Sequence, residues 1–342
     1  MKIAFAGGGS LGPVTPLLAV ANAIRRNTGN GNIEFVWFGT PDGPERQLVE
    51  TEGIRFYPIT VAKLPRYPSV RWITFLFDVW KARSEARVIL QKEKPDVIAS
   101  VGGFTAVPVM KEAKKLGIPC AVHQLDAVLS WSNKAVERFC AVRTSSFARE
   151  GYEQIPTPAR FGNTGLLRAA RNDKKKTILI VGGGTGSAAM NEAILSRQDD
   201  WSRIANIIHI TGKGKMGNLA EHEGYSVHEL LGEEGMRRAL MEADLIISRA
   251  GIGGLSDIAA CSKAAIIVPI PGNQQEENAK RFAEAGAAIV VPQRDGFADA
   301  LLQAAKKLLS DPEQMELMGS KAHDFFKTDD GSALAQKILD MK

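Results

Sequence analysis

Ala6-Gly7-Gly8-Gly9-Ser10-Leu11-Gly12 follows the apolar run Ile3-Ala4-Phe5, and Val181-Gly182-Gly183-Gly184-Thr185-Gly186-Ser187 follows Ile178-Leu179-Ile180. Each stretch reads as strand, glycine turn, helix. That geometry aims backbone N–H groups and a helix N-terminus at an anion. Two such units, about half a chain apart, point to two doubly wound domains facing one phosphorylated ligand.

Working outward, short β-branched runs alternate with amphipathic stretches. Strands are expected at 2–6, 33–39, 56–59, 97–100 and 119–123, then at 177–181, 206–211, 225–230, 245–248, 264–268 and 288–291. Such alternation argues for parallel sheets with helices on both faces. Most of these runs are continuously apolar, as in sheets covered on both sides. The turn-like Gly162-Asn163-Thr164-Gly165 and the polar run from Arg171 to Lys176 mark a boundary. The expected domains are therefore 1–165 and 166–342, with the place of the C-terminal helix, 332–341, left open between them.

Composition supports this division. The chain has 342 residues, which suits two domains, and its 44% hydrophobic and 24% charged content is ordinary for globular α/β proteins. A net charge of +5 fits an anionic substrate or an anionic membrane surface. No basic tract with interleaved aromatics, zinc-finger spacing or RNP-like motif points to nucleic acid. Cys120, Cys140 and Cys261 form no CxxC, which fits a reducing compartment. No signal-peptide pattern opens the chain, and no apolar run reaches the roughly 18 residues of a membrane span.

The first glycine loop is neither GxGxxG with a following acid nor GxxxxGK[ST], which disfavours nicotinamide and P-loop chemistry. Pro13 follows it, in the first turn of an apolar-striped helix. In the second half, Asn191 stands one helical turn beyond the glycines. Ser248-Arg249-Ala250-Gly251-Ile252-Gly253-Gly254-Leu255-Ser256-Asp257 repeats the strand–glycine–helix pattern. Its glycines and Ser256 can hold a phosphate, and Asp257 reads either as a ribose-diol acceptor or as an acid favoured by the helix dipole. Pro269-Ile270-Pro271-Gly272-Asn273-Gln274-Gln275 offers two amides that can read sugar hydroxyls, or a polar loop leading into a helix. Finally, 65–83 crowds Trp72, Phe75, Leu76, Phe77 and Trp80 between Arg66, Arg71, Lys81 and Arg83. It reads as a core helix or as a face lying on an anionic membrane.

Together these motifs resemble the MurG family of UDP-N-acetylglucosamine transferases over nearly the whole chain. The resemblance rests on Gly8 to Ala21, Gly102-Gly103-Phe104, His123-Gln124-Leu125-Asp126 through Ser132-Asn133-Lys134, Gly182 to Asn191, Arg249 to Ala259, and Gln274-Gln275. It implies the GT-B fold, two Rossmann-like domains with a cleft between them. UDP-GlcNAc is then expected on Gly184, Asn191, Arg249, Gly251, Ile252, Gly253, Ser256, Asp257, Gln274 and Gln275, with the uracil near Leu230. An undecaprenyl-diphosphate acceptor is expected on Gly8, Gly9, Ser10, Gly12, Gly102, Gly103 and Arg168. Trp72, Phe75, Leu76 and Trp80 would meet the membrane, placing the protein peripherally on its cytoplasmic face, with cell-wall-synthesis proteins as further partners.

The chain departs from the family's pattern. Pro13 stands where the family has His, Gln124 where it has Glu, Asp126 where it has Asn, and Asp257 where it has Glu; Gly165-Leu166-Leu167-Arg168 alters a further motif. An inverting transfer needs a base at the acceptor hydroxyl and stabilisation of the departing diphosphate. The base is expected to be Asp126 or His123. No Asp-x-Asp motif or other metal site is evident, so no metal or cofactor is expected. The expected activity is transfer of GlcNAc to a lipid-diphosphate-linked muramyl-pentapeptide. The alternatives are another lipid acceptor such as a diacylglycerol, a UDP-GlcNAc 2-epimerase, and a non-catalytic nucleotide-sugar-binding homologue.

Overall fold

The computed structural model describes residues 1–9, 11–29, 33–43, 45–60, 71–162, 175–217, 219 and 221–341. They form two units, Met1–Arg160 with Asp329–Lys342, and Phe161–Thr328. In the first unit β1 (Lys2–Ala6), α1 (Val14–Thr28), β2 (Glu34–Gly39), α2 (Glu45–Thr51), β3 (Arg55–Pro58) and α3 (Arg71–Glu93) alternate. β4 (Val97–Ser100), α4 (Ala106–Lys115), β5 (Cys120–Gln124), α5 (Trp131–Val136), β6 (Val142–Ser145) and β7 (Glu153–Gln154) continue the pattern, and β8 (Thr157–Pro158) follows. The sheet order is β3-β2-β1-β4-β5-β6-β7, and every pairing in it is parallel. β4 and β5 are buried along their whole length, and β1 from its second residue on, which is why they read as mainly apolar, with Ser100, His123 and Gln124 only at the carboxyl ends.

The second unit repeats the plan. It comprises β9 (Thr177–Val181), α6 (Ala188–Leu195), α7 (Gln198–Ile204), β10 (Asn206–Ile210), β11 (Tyr225–His228), α8 (Glu233–Glu242), β12 (Leu245–Ser248) and α9 (Ile252–Ala260). β13 (Ala264–Ile267), α10 (Gln275–Glu284), β14 (Ile289–Val290), α11 (Phe297–Leu309) and α12 (Pro312–Phe325) complete it. Its sheet order is β11-β10-β9-β12-β13-β14, again all parallel. β15 (Thr328–Asp329) and α13 (Ser332–Leu339) end the chain. α13 packs on α1, beside an Arg26–Asp330 ion pair.

In each sheet the strand order reverses between two central strands, β1 and β4 in the first, β9 and β12 in the second. Ligands of doubly wound sheets bind outside the carboxyl ends of such a pair. The loops following β1, β4, β9 and β12 are the four glycine turns singled out in the sequence.

The expected strands are all present, trimmed by one or two residues at some ends and shifted by one residue at β3 and β5. β6 is an addition. Val142-Arg143-Thr144-Ser145 looks too polar for a strand, but it pairs next to the edge and its polar groups are satisfied. The Thr144 and Ser146 hydroxyls bond the two ring nitrogens of His123, and the Ser145 hydroxyl donates to the Phe147 carbonyl.

At the base of the first sheet, Glu93 gathers Lys2 and Arg55 in ion pairs and accepts from the Tyr57 hydroxyl. Burial alone would raise its carboxyl, but the bonds from Tyr57, Lys2 and Arg55 outweigh this and hold it down at about 2. The folded protein thus binds that proton less readily than the unfolded chain, whose carboxyl has the ordinary value of 4.5. The network's contribution is complete above pH 4.5 and fades as pH falls toward 2. The difference in unfolding free energy between wild type and Glu93→Gln is therefore expected to be largest near neutrality and to shrink over that range. A difference independent of pH would contradict it.

Candidate active site

The first glycine loop is pinned from beneath. The Gly7 N–H donates to the Phe38 carbonyl, the Gly7 carbonyl accepts from the Trp37 indole at 2.8 Å, and the Gly9 N–H donates to Glu45 at 3.2 Å. The same Glu45 oxygen accepts from the Thr40 N–H at 2.7 Å and the Thr40 hydroxyl at 2.6 Å. Glu45 is fully buried, and its other oxygen has no partner. A Cβ at Gly8 would lie 2.2 Å from that carboxylate, so the loop can cross Glu45 only with glycine there. Sequence reasoning passed over Glu45, because an acid in a helix's first turn ordinarily reads as a dipole complement. Removing it strands three donors, the two from Thr40 buried and that of Gly9 partly so. Glu45→Ala is expected to cost about 2 kcal/mol of stability in denaturant unfolding, with Glu45→Gln milder because one acceptor survives; an Ala variant as stable as wild type would contradict this.

The β4 turn lies against this loop, and a Cβ at Gly103 would sit 3.4 Å from the Gly8 carbonyl oxygen. The Gly102 N–H donates to the Ser100 hydroxyl and the Gly103 N–H to the Ser132 hydroxyl. The N–H groups of Gly9, Gly102 and Gly103, expected to face an acceptor diphosphate, are thus spent inside the unit. That corrects the expectation of spare donors there. Gly8 and Gly12 flank the start of α1. Ser10 and Arg168 lie outside the described residues.

Gln124 organises the neighbouring loop. Its amide N–H groups donate to the Asp126 and Val128 carbonyls at 2.9 and 2.8 Å. Its oxygen accepts from the Ser130 N–H and from Asn133. A carboxylate at this position could not donate to two carbonyls, so the amide suits the loop as built. Asp126 is half-buried on this loop, and Trp131 is 82% exposed beside it. His123 is fully buried and its ring is pulled down to about 3 by burial, so it stays neutral and is closed off from solvent. Its expected role as a base is corrected to a structural one, tying β5 to β6.

In the second unit, a Cβ at Gly186 would lie 2.0 Å from the Thr211 carbonyl oxygen, and one at Gly212 2.5 Å from the Gly186 Cα. The second glycine loop and the segment after β10 therefore meet backbone to backbone. Asn191 fastens this junction. Its amide donates to the Thr211 and Lys215 carbonyls at 3.1 and 2.8 Å, and its oxygen pairs with His209. The other ring nitrogen of His209 bonds the Tyr225 hydroxyl, and burial holds His209 down at about 4. Asn191 is buried with both N–H groups and its oxygen engaged. It supports the loop and does not read a sugar directly, which corrects the expectation.

Arg249 joins two of the turns. Its guanidinium donates to the Ser187 hydroxyl and to the Val268 and Pro269 carbonyls. Gly251 caps α9; Gly253 is exposed and Ile252 half-buried, while Ser256 and Asp257 are buried in that helix. The Gln275 amide nitrogen lies 3.6 Å from where a Gly251 Cβ would be. Gln274 is exposed at the start of α10, and Gly184 and Leu230 are exposed. The structure thus brings the Gly182, Arg249 and Gln275 turns together at one end of the second sheet.

On α3, Phe77 and Trp80 are exposed with ring centroids 6.1 Å apart, and Phe75 is half-buried. The side chains of Trp72 and Leu76 lie outside the described residues. Among the described residues, no helix is long and apolar enough to cross a membrane, and no three His, Cys, Asp or Glu side chains cluster to hold a metal ion.

Two doubly wound units with glycine turns at their switch points are the plan of the GT-B fold, and the family matches make this chain a glycosyltransferase of that class. Residues 3–143 match the glycosyltransferase family 28 N-terminal domain and residues 177–333 its C-terminal domain. The UDP-N-acetylglucosamine--N-acetylmuramyl-(pentapeptide) pyrophosphoryl-undecaprenol N-acetylglucosamine transferase of Staphylococcus carnosus is 31% identical, over 99% of this chain and 96% of its own. That of Clostridium perfringens strain SM101 is 32% identical over 92% and 91%. The crystal structure of Acinetobacter baumannii MurG superposes with a TM-score of 0.79 at 27% identity, over 99% of both chains. The chain belongs to glycosyltransferase family 28, within its MurG branch. UDP-GlcNAc 2-epimerase from Neisseria meningitidis, at 14% identity and a TM-score of 0.65, shares the fold alone.

Proposed function

We propose that this protein transfers GlcNAc from UDP-GlcNAc, with inversion, to an undecaprenyl-diphosphate-linked muramyl-pentapeptide in peptidoglycan synthesis. The observation that carries this is relatedness above 30% along nearly the whole chain to enzymes named for that reaction. The second unit holds the donor. The turn Gly251-Ile252-Gly253 at the start of α9 takes the diphosphate, Gly184 and Arg249 border it, Asp257 and Ser256 lie below the ribose, and Gln274 and Gln275 read the sugar. Leu230 covers the uracil. The first unit takes the acceptor, with Gly8 and Gly12 at the start of α1 near its diphosphate.

Asp126 is the base. It removes the proton from the acceptor hydroxyl as that oxygen attacks the anomeric carbon, while the sugar–phosphate bond breaks and its electron pair leaves with UDP. Of the two candidates, Asp126 is the one with access to solvent. The exposed Phe77 and Trp80 on α3, with cations nearby in sequence, support peripheral attachment at the cytoplasmic face of an anionic membrane.

Purified protein given UDP-GlcNAc and the lipid-linked acceptor tests this directly. The disaccharide-linked lipid is the expected product. Free N-acetylmannosamine would instead mark an epimerase, and nucleotide-sugar binding without turnover a scaffold or another acceptor.

A further inference from the structure

The segment Thr211-Gly212-Lys213-Gly214-Lys215 is held far more firmly than an exposed turn requires. The Gly212 N–H donates to the Glu229 carbonyl and the Lys215 N–H to the Gly212 carbonyl, both at 3.0 Å. The Gly214 N–H donates to the Glu229 side chain at 2.8 Å. Beneath, the chain Tyr225–His209–Asn191 ends on the Thr211 and Lys215 carbonyls. The backbone of Lys215 is thereby fixed on both sides, and the contact of Gly186 with Gly212 brings it against the second glycine loop. Its side chain is exposed, and its ammonium reaches the Gly186 carbonyl in a single long bond of 3.4 Å. That leaves most of its donor capacity for another group. Arg249, a further cation at these turns, is committed to Ser187 and two backbone carbonyls.

We infer that Lys215 is positioned over the second glycine loop to neutralise the diphosphate of the sugar-nucleotide donor. This rests on the donor assignment of the second unit. When the bond between the anomeric carbon and the diphosphate oxygen breaks, the electron pair stays on that oxygen and the leaving group gains a negative charge. An ammonium carried there on a fixed backbone stabilises that charge where it develops. The acceptor's proton goes to Asp126, so Lys215 donates no proton and acts by charge alone.

The test compares UDP with uridine as ligands of the full-length protein, in wild type, Lys215→Met, Lys215→Arg and the control Lys213→Met. Lys215→Met is expected to lose about tenfold in UDP affinity with uridine affinity unchanged, and about 10²-fold in turnover. Lys215→Arg recovers most of both, and Lys213→Met keeps the wild-type ratio. A Lys215→Met protein with the wild-type UDP-to-uridine ratio overturns the proposal, as does an equal loss for both ligands, which would mark a structural role. Wild-type protein that binds neither ligand removes the donor assignment itself, and the proposal with it.

Discussion

Asp126→Asn is expected to lower transfer by about 10²-fold or more, with affinity for UDP-GlcNAc unchanged. The substitution keeps the shape of the side chain and removes its ability to take a proton. The loop that carries it is fixed through Gln124, which bonds the Asp126 backbone carbonyl and not the carboxylate, so the loop's anchor survives the change. The loss therefore falls on turnover and not on donor binding. It also removes from the pH–rate profile the acidic limb on which a carboxylate base must ionise. An unchanged rate at saturating substrates would reject Asp126 as the base. His123→Asn should behave differently, lowering stability by breaking the bonds to Thr144 and Ser146.

Gly186→Ala is expected to cost about 3 kcal/mol. Gly186 has a φ of +69°, which an L side chain disfavours by roughly 1–2 kcal/mol. Its new methyl would stand 2.0 Å from a backbone oxygen, and overpacking of this kind adds roughly 1–3 kcal/mol. Neither partner is a flexible side chain, so relief requires the second glycine loop and the Thr211–Gly212 segment to separate. The unfolding midpoint should drop by about 6–12 °C, and UDP binding should weaken with it. A variant with wild-type melting and UDP affinity would show that this junction does not shape the donor loop.

Much of the fold was legible because its signals are local. An apolar run, a glycine turn and a helix occupy adjacent residues, and the parallel sheets bury both faces of their central strands, so β1, β4, β9 and β12 keep polar residues only at their ends. β6 was not legible. Its Thr144 and the nearby Ser146 are tolerated inside only because His123, more than twenty residues earlier, bonds both. The candidate site divides in the same way. The turns around Gly182 and Arg249 could be read from their order along the chain. The destinations of individual polar groups could not. Nothing near Glu45 in sequence reveals that it holds the amide of Gly9, 36 residues away. Nothing near Asn191 shows that its amide is taken by carbonyls 20 and 24 residues on. Gln124 looked like a lost carboxylate in the sequence, and in the structure it is the amide its loop requires. Lys215 left one local trace, the Gly-Lys-Gly-Lys run after a strand, whose meaning depends on the distant Gly186.

The central claim is that this chain moves GlcNAc from an α-linked nucleotide to a lipid-linked acceptor in one inverting displacement. The measurement that tests it most directly is NMR of the anomeric proton in the product formed from UDP-GlcNAc and undecaprenyl-diphosphate-linked muramyl-pentapeptide, with UDP release followed in parallel. The account predicts a β-linked disaccharide and one UDP released for each, none without acceptor. An α-linkage, release of free sugar, or UDP formation that ignores the acceptor would contradict it.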